Sequence, residues 1–217
     1  MSQPPSTSEE NQSVLAALYP FASSEAKEKN ANAQGLDDAL LKSIGAKARD
    51  SLSVKEQFFA RQSDALLNAA KIIASTYAKR GRLLTAGNGG SSCDAAHLAV
   101  EFMHPVTTGR RALPAINLSQ DTAMITAVSN DVGVEHVLTR QLSALANPGD
   151  TLVVFSTSGN SANLIEACKK ARVMGIKVIA FTGRTGGEMV SGHHCDVALK
   201  VPSDSIHRIQ ECHLACY

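Results

Sequence analysis

The 217-residue chain has no tryptophan and few other aromatic side chains, 3 Tyr and 6 Phe. A single-stranded nucleic acid needs stacking platforms that this composition does not supply. It has no excess of charge either: 21 Lys and Arg stand against 20 Asp and Glu, a net charge of +1. No global field therefore steers it toward nucleic acid or an acidic membrane surface. Nowhere does it hold the run of about 18 apolar residues that a membrane-spanning helix needs. The start, Met1 to Ser13, is rich in Ser, Gln, Pro and Glu and lacks the basic-then-apolar order of a secretion signal. The 5 cysteines (Cys93, Cys168, Cys195, Cys212 and Cys216) show no Cys-x-x-Cys spacing. An odd, unpatterned set reads as reduced thiols, and the expected location is the cytoplasm.

Apolar content of 44% and charged content of 19% suit a globular protein, and the length suffices for one α/β domain with a helical appendage. Residues 1–35 are polar, with one apolar stretch from Val14 to Phe21, and read as a disordered extension with room for one short helix. Residues 36–217 read as the domain. Leu36, Leu40, Leu41 and Ile44 form a helical stripe. A second helix is expected from Ser53 to Arg80, capped by Ser53 with Glu56 three residues on, and with Phe58, Phe59, Leu66, Leu67, Ala70, Ile73 and Tyr77 facing inward. Strand and helix then alternate: strands at 82–86, 113–118, 151–155, 177–181 and 197–201; helices at 91–103, 121–129, 134–146 and 162–174; turns at 130–133 and 186–187. A last helix starts near Ser205 and is expected to run on through Tyr217. Continuous apolar strands separated by helices predict a doubly wound, flavodoxin-like, five-stranded parallel sheet with helices on both faces, preceded by N-terminal helices.

Two loops leave strand ends in this pattern. Gly87-Asn88-Gly89-Gly90-Ser91-Ser92 runs from an apolar strand into a helix. Its glycines let the backbone approach a ligand and its hydroxyls add donors. It matches neither dinucleotide nor Walker spacing. Ser156-Thr157-Ser158-Gly159-Asn160-Ser161 places four hydroxyls at another helix start, more than a cap by Ser161 or Asn160 requires. It holds no Lys or Arg, so an anion there would meet neutral donors and a helix dipole, which suits a sugar phosphate. Either loop alone also reads as a plain strand-to-helix turn. His97 and Glu101 stand four apart on one helix face, a ligand and a base expected beside the first loop; alone, such a pair is an ordinary surface hydrogen bond. A metal would need further ligands, for which Gln210, Glu211 and His213 of the last helix are the candidates. Asn130-Asp131 reads either as turn chemistry or as a contact to substrate hydroxyls.

These motifs stand in one order: Gly87-Asn88-Gly89-Gly90-Ser91, Cys93-Asp94-Ala95-x-His97-x-x-x-Glu101, Asn130-Asp131, Ser156 to Asn163, Thr182-Gly183-x-x-Gly186-Gly187 and Arg208-Ile209-Gln210-Glu211-x-His213. From Leu36 onward the chain resembles the phosphoheptose isomerases of the sugar-isomerase (SIS) domain class. The resemblance implies an aldose–ketose isomerisation of sedoheptulose 7-phosphate, the first step toward activated heptose, by a homotetramer with active sites at subunit interfaces. It implies substrate contacts from Asn88, Gly89, Gly90, Glu101, Asn130, Asp131, Ser156, Thr157, Ser158, Ser161 and Gln210. It further implies one zinc ion per subunit on His97, Glu101 and Gln210, with Glu101 also the catalytic base. The family pattern puts a further histidine at position 218, one past Tyr217, and a basic residue near Pro105, for which Arg110 or Arg111 could substitute. Two other classes share the fold. One is a non-catalytic protein that binds the bacterial replication initiator; retention of His97 and Glu101 favours the enzyme over it. The other is a sugar-phosphate sensor fused to a helix-turn-helix, for which residues 1–35 offer no room.

Overall fold

The computed structural model describes residues 33–106 and 109–217. The chain divides into two compact units, residues 1–48 and 49–217. The polar extension, with its Val14–Phe21 stretch, lies outside the described residues up to position 32; from Ala33 the chain is helical.

Helix α1 (Ala33–Ala78) runs 46 residues without a break, where two helices were expected. Ser53 therefore caps nothing. It stands inside α1 and accepts a hydrogen bond from Gln57 Nε2 at 3.2 Å. Ser51-Leu52-Ser53 contains neither Pro nor Gly, and an interior serine costs a helix only about 0.5 kcal/mol, too little to stop it. Val54, Phe58, Ala69 and Thr76 are its buried positions, at helical spacing. Leu67 and Ala70, expected inward, are exposed, as are Leu40, Leu41 and Ile44.

The α/β body follows in the expected alternation: β1 (Leu83–Gly87), α2 (Gly90–Met103), β2 (Ala115–Asn117), α3 (Thr122–Asp131), a 3-10 turn (Val134–His136), α4 (Val137–Leu145), β3 (Thr151–Ser156), α5 (Ala162–Val173), β4 (Lys177–Gly183), α6 (Gly187–Ser191), β5 (Val197–Val201) and α7 (Ile206–Leu214). The strands form one five-stranded sheet in the order β2-β1-β3-β4-β5, every pair parallel. This is the doubly wound order expected. Four details differ. Strand β2 keeps only three residues. Asn130 and Asp131 close α3 instead of forming a turn. The five-residue α6 was not foreseen. Helix α7 gives way to a turn at Ala215–Cys216.

Alternate strand residues feed two cores. Leu83, Val153, Phe155, Ile179 and Phe181 pack with Phe58 of α1, Leu98 of α2 and Ile209 of α7 on one face. Leu84, Ala86, Leu152, Val154, Val178 and Ala180 pack with Leu138 and Leu142 of α4 and Leu164 and Cys168 of α5 on the other. Both faces being covered explains why the strands read as unbroken apolar runs. Burial of Cys168 pushes its thiol up to about 12, so it is inert packing, and all five cysteines are free. Order reversal between β1 and β3 makes their carboxyl ends the switch point, where ligands of such sheets bind.

Candidate functional site

Both loops leave that switch point. Asn88 and Asn163 join them through a reciprocal amide pair: Asn88 Nδ2 donates to Asn163 Oδ1 at 2.9 Å, and Asn163 Nδ2 donates to Asn88 Oδ1 at 2.8 Å. Asn163 lies in the first turn of α5, so the pair ties the start of α2 to the start of α5. Beside it opens a cavity of about 250 Å³ lined by Asn88, Gly89, Ser92, Ser119 and Asn163 on its polar side and by Leu118, Ile125 and Val137 on its apolar side. Gly89 takes a φ of 52° at the α2 N-cap, and no side chain caps that helix. In its first turn, Ser91 N–H donates to the Asn88 carbonyl and Ser92 N–H to the Gly89 carbonyl, both at 3.0 Å.

The hydroxyl loop is braced by its own atoms. Ser156 Oγ accepts from Gly159 N–H at 3.1 Å and lies 3.2 Å from Ser161 Oγ. Ser158 Oγ accepts from Asn160 N–H. Ser161 stands at the N-cap of α5 yet makes no side-chain cap. Asn160 instead reaches across to accept from Glu188 N–H at 2.8 Å, anchoring the loop to α6. Gly159, with φ 67°, lies so close to the Gly186 carbonyl that no Cβ would fit. Neither Ser161 nor Asn160, the two expected caps, thus caps α5 with its side chain, and the loop hydroxyls gather at a positive dipole end.

His97 and Glu101 do pair, His97 Nε2 lying 3.1 Å from Glu101 Oε1, with both side chains close to half exposed. They do not stand beside the first loop. Glu101 belongs to the last turn of the 14-residue α2, and at 1.5 Å per residue it lies about 16 Å along the axis from Gly90. It lines instead an apolar cavity of about 560 Å³ formed with Leu66, Tyr77, Leu98, Phe102, Phe181 and Tyr217. Arg110 donates to the Glu101 carbonyl and its guanidinium lies 5.7 Å over the Phe102 ring, so a cation does stand near the stretch where a basic residue was expected. Tyr217 hydroxyl donates to Asp94 Oδ1 at 3.0 Å, and its ring meets His97 edge-on at 5.3 Å. Burial raises the Asp94 carboxyl, against the lowering effect of the Tyr217 hydroxyl and of His97.

Gln210 is brought to the first loop: its carboxamide occupies the space a Gly90 Cβ would need. That leaves it about two helical turns from His97. Asn130 Nδ2 donates to Asp131 Oδ1 at 3.0 Å on the exposed end of α3, and neither lines the switch-point cavity. Among the described residues no three His, Cys, Asp or Glu side chains gather to hold a metal.

A model of the SIS domain matches residues 48–183. The chain belongs to the SIS domain family. Within that family it stands with the phosphoheptose isomerases. It is 44% identical over 179 residues to one from Desulfovibrio desulfuricans, covering 82% of this chain and 84% of that one. The solved structure of a phosphoheptose isomerase from Neisseria gonorrhoeae is 38% identical with a TM-score of 0.75, over 82% of this chain and 94% of that one. Another from Francisella tularensis is 35% identical with a TM-score of 0.77, over 81% and 93%. These relatives are named as isomerases and not as interaction proteins.

Two residues of this SIS domain went unseen as partners of the first loop. Ser119 Oγ donates to the Gly87 carbonyl at 2.8 Å and accepts from Gly87 N–H at 3.1 Å. Asn163 supplies the amide pair. Each stands just past a strand end or a helix start, and that placement alone could have pointed to them.

Proposed function

We propose that this chain acts as a phosphoheptose isomerase, interconverting sedoheptulose 7-phosphate and D-glycero-D-manno-heptose 7-phosphate. The observation that carries this is the joining of two hydroxyl-rich helix starts, neither capped by its N-cap side chain, by the Asn88–Asn163 pair on a chain that also presents a His97–Glu101 pair. The first is a grip for a phosphate ester without cationic side chains; the second is proton chemistry.

In this reading Ser156, Thr157, Ser158 and Ser161 and the first-turn N–H groups of α5 hold the phosphate. Asn88, Gly89, Gly90 and Gln210 line the path of the sugar, with Asn130 and Asp131 as further hydroxyl contacts. Glu101 takes a proton from C1 of the ketose while the C2 carbonyl oxygen gains one, giving an enediol. Return of a proton to C2, with loss of the O1 proton, forms the aldehyde. Remote phosphate binding fixes C1 and C2 against the base.

Reach supports a meeting of the two halves across copies. From the phosphorus to C1 of a seven-carbon ester is about 10 Å at roughly 1.2 Å per backbone bond, less than the length of α2 between Gly90 and Glu101. In this reading a sugar held by one copy's loops meets the Glu101 of another copy. This supports active sites at subunit interfaces and a homotetramer, as do the exposed Leu40, Leu41, Ile44, Leu52 and Leu67 of α1. A divalent ion, zinc by the family resemblance, fits His97 and Glu101: their 3.1 Å separation is close to the ~3.4 Å between ligands of a tetrahedral zinc. Gln210 of the same chain is too far along α2 to join them, so that ligand set closes only through another copy. When bound, such an ion acts as a Lewis acid on the substrate oxygens. The cytoplasm is its proposed location; no described helix is long and apolar enough to cross a membrane.

Incubating the full chain with sedoheptulose 7-phosphate and following the sugar by NMR tests the reading. The aldose should accumulate, and turnover should stop with a chelator. No conversion with zinc supplied would sink it.

A further inference from the structure

We propose that His213 is a positioning residue: it holds the end of β4, and through it the Ser156–Ser161 loop, in the geometry that grips the phosphate. This rests on the phosphate-binding role given to that loop above.

His213 is fully buried in α7. Its Nε2 lies 3.2 Å from the Thr182 carbonyl, and a carbonyl only accepts, so this nitrogen carries the proton. The other ring nitrogen, Nδ1, is buried without a partner. Phe155 and Phe181 flank the imidazole edge-on, at 5.9 and 5.7 Å. A leucine or phenylalanine would serve such an apolar surround at least as well and would leave no orphaned nitrogen. What the imidazole adds is one bond, to Thr182.

That bond falls where the hydroxyl loop is anchored. Thr182 pairs in register with Ser156 across β4 and β3. The next residue, Gly183, donates its N–H to the Thr157 carbonyl at 3.1 Å. Gly183 is also gripped between the Ile209 side chain and that same Thr157 carbonyl, with no room for a Cβ. Ile209 and His213, one turn apart on α7, therefore clamp Thr182 and Gly183, and these two fix Thr157. The same helix presents Gln210 to Gly90. One rigid element thus sets the register between the two loops, and small errors in such placement weaken binding strongly.

The test compares wild type, His213→Leu and His213→Gln in the full chain. Glutamine can return a donor near the Nε2 position; leucine keeps the bulk and loses the donor. Inorganic phosphate affinity by chemical-shift titration and KM for sedoheptulose 7-phosphate are read together with kcat. His213→Leu should weaken both phosphate affinity and KM by about tenfold with kcat within about twofold, and His213→Gln should recover most of the loss. Amide exchange at Gly183 should quicken in the leucine variant alone. Should His213→Leu not fold, Ile209→Val trims the other jaw of the clamp and should raise KM about threefold. Unchanged phosphate affinity in His213→Leu, or a glutamine variant as weak as leucine, overturns the proposal. Wild type that binds phosphate but does not turn over the sugar fails the isomerase reading alone; wild type that binds no phosphate fails both.

Discussion

At the scale of single residues, Glu101 is given the reaction and the loop serines the grip, so their variants should fail differently. Glu101→Gln should lower kcat by about 10³-fold while leaving the affinity for a sugar phosphate near wild type, because the amide keeps the shape and loses the base. Near-normal turnover in that variant, measured by coupled assay, removes Glu101 from its role. Gly159→Ala should act the other way. At φ 67° and against the Gly186 carbonyl, an added methyl strains the loop by about 1–3 kcal/mol, which should appear as a raised KM and a lower Tm with kcat little changed. Residue identities at these sites were legible in the sequence, since glycines and hydroxyls cluster where no core would want them. Their partners were not. The Asn88–Asn163 and Ser119–Gly87 bonds join residues far apart in the chain, and spacing is silent about such contacts.

At the scale of elements, Arg208-Ile209-Gln210-Glu211-x-His213 divides its tasks along α7. Arg208 Nε donates to Asp50 at 2.8 Å and its Nη1 to Glu211 at 2.6 Å, while Ser51 Oγ donates to Glu211 at 2.6 Å, so two of the five named residues pin α7 to α1. Ile209 and His213 press on β4, and Gln210 alone faces the first loop. Burial depresses His213 from the usual 6.5 to about 4, with the Thr182 carbonyl pulling the other way. The unfolded chain then binds the proton more readily between these values. His213 favours the fold fully above about pH 6.5 and loses that contribution as pH falls toward 4. At pH 5 this amounts to about 2 kcal/mol. Urea unfolding at pH 5 and 7.5 should show this loss in wild type and not in His213→Gln. Equal losses in both would assign it elsewhere. Strands β1, β3 and β4 were legible because each is buried on both faces, and β5 because Val197, Leu199 and Val201 alternate toward one core. The break expected in α1 was not there, because a capping pattern at Ser53 and Glu56 reads the same inside a helix as at its start. Helix α6 escaped notice since five residues hold too little periodicity to register.

For the whole molecule, the length of α2 is the deciding quantity. It puts the glycine loop and the proposed base at opposite ends of one helix, which the sequence, read as adjacent motifs, set side by side. If the proposed assembly forms, two broken variants should complement. Chains carrying Glu101→Gln, co-expressed with chains carrying Ser156→Ala and Ser161→Ala, should form mixed assemblies with sites made of two intact halves. Activity should return to about a quarter of wild type if the halves assort at random. Inactivity of mixed assemblies that form normally would place both halves in one chain. The most direct test is a crystal structure of the full chain with sedoheptulose 7-phosphate bound. The phosphorus should lie within hydrogen-bond reach of residues 156–161 of one copy, and C1 and C2 should face the Glu101 carboxylate of another. A phosphorus held elsewhere, or a Glu101 remote from C1 and C2 in every copy, would contradict the account.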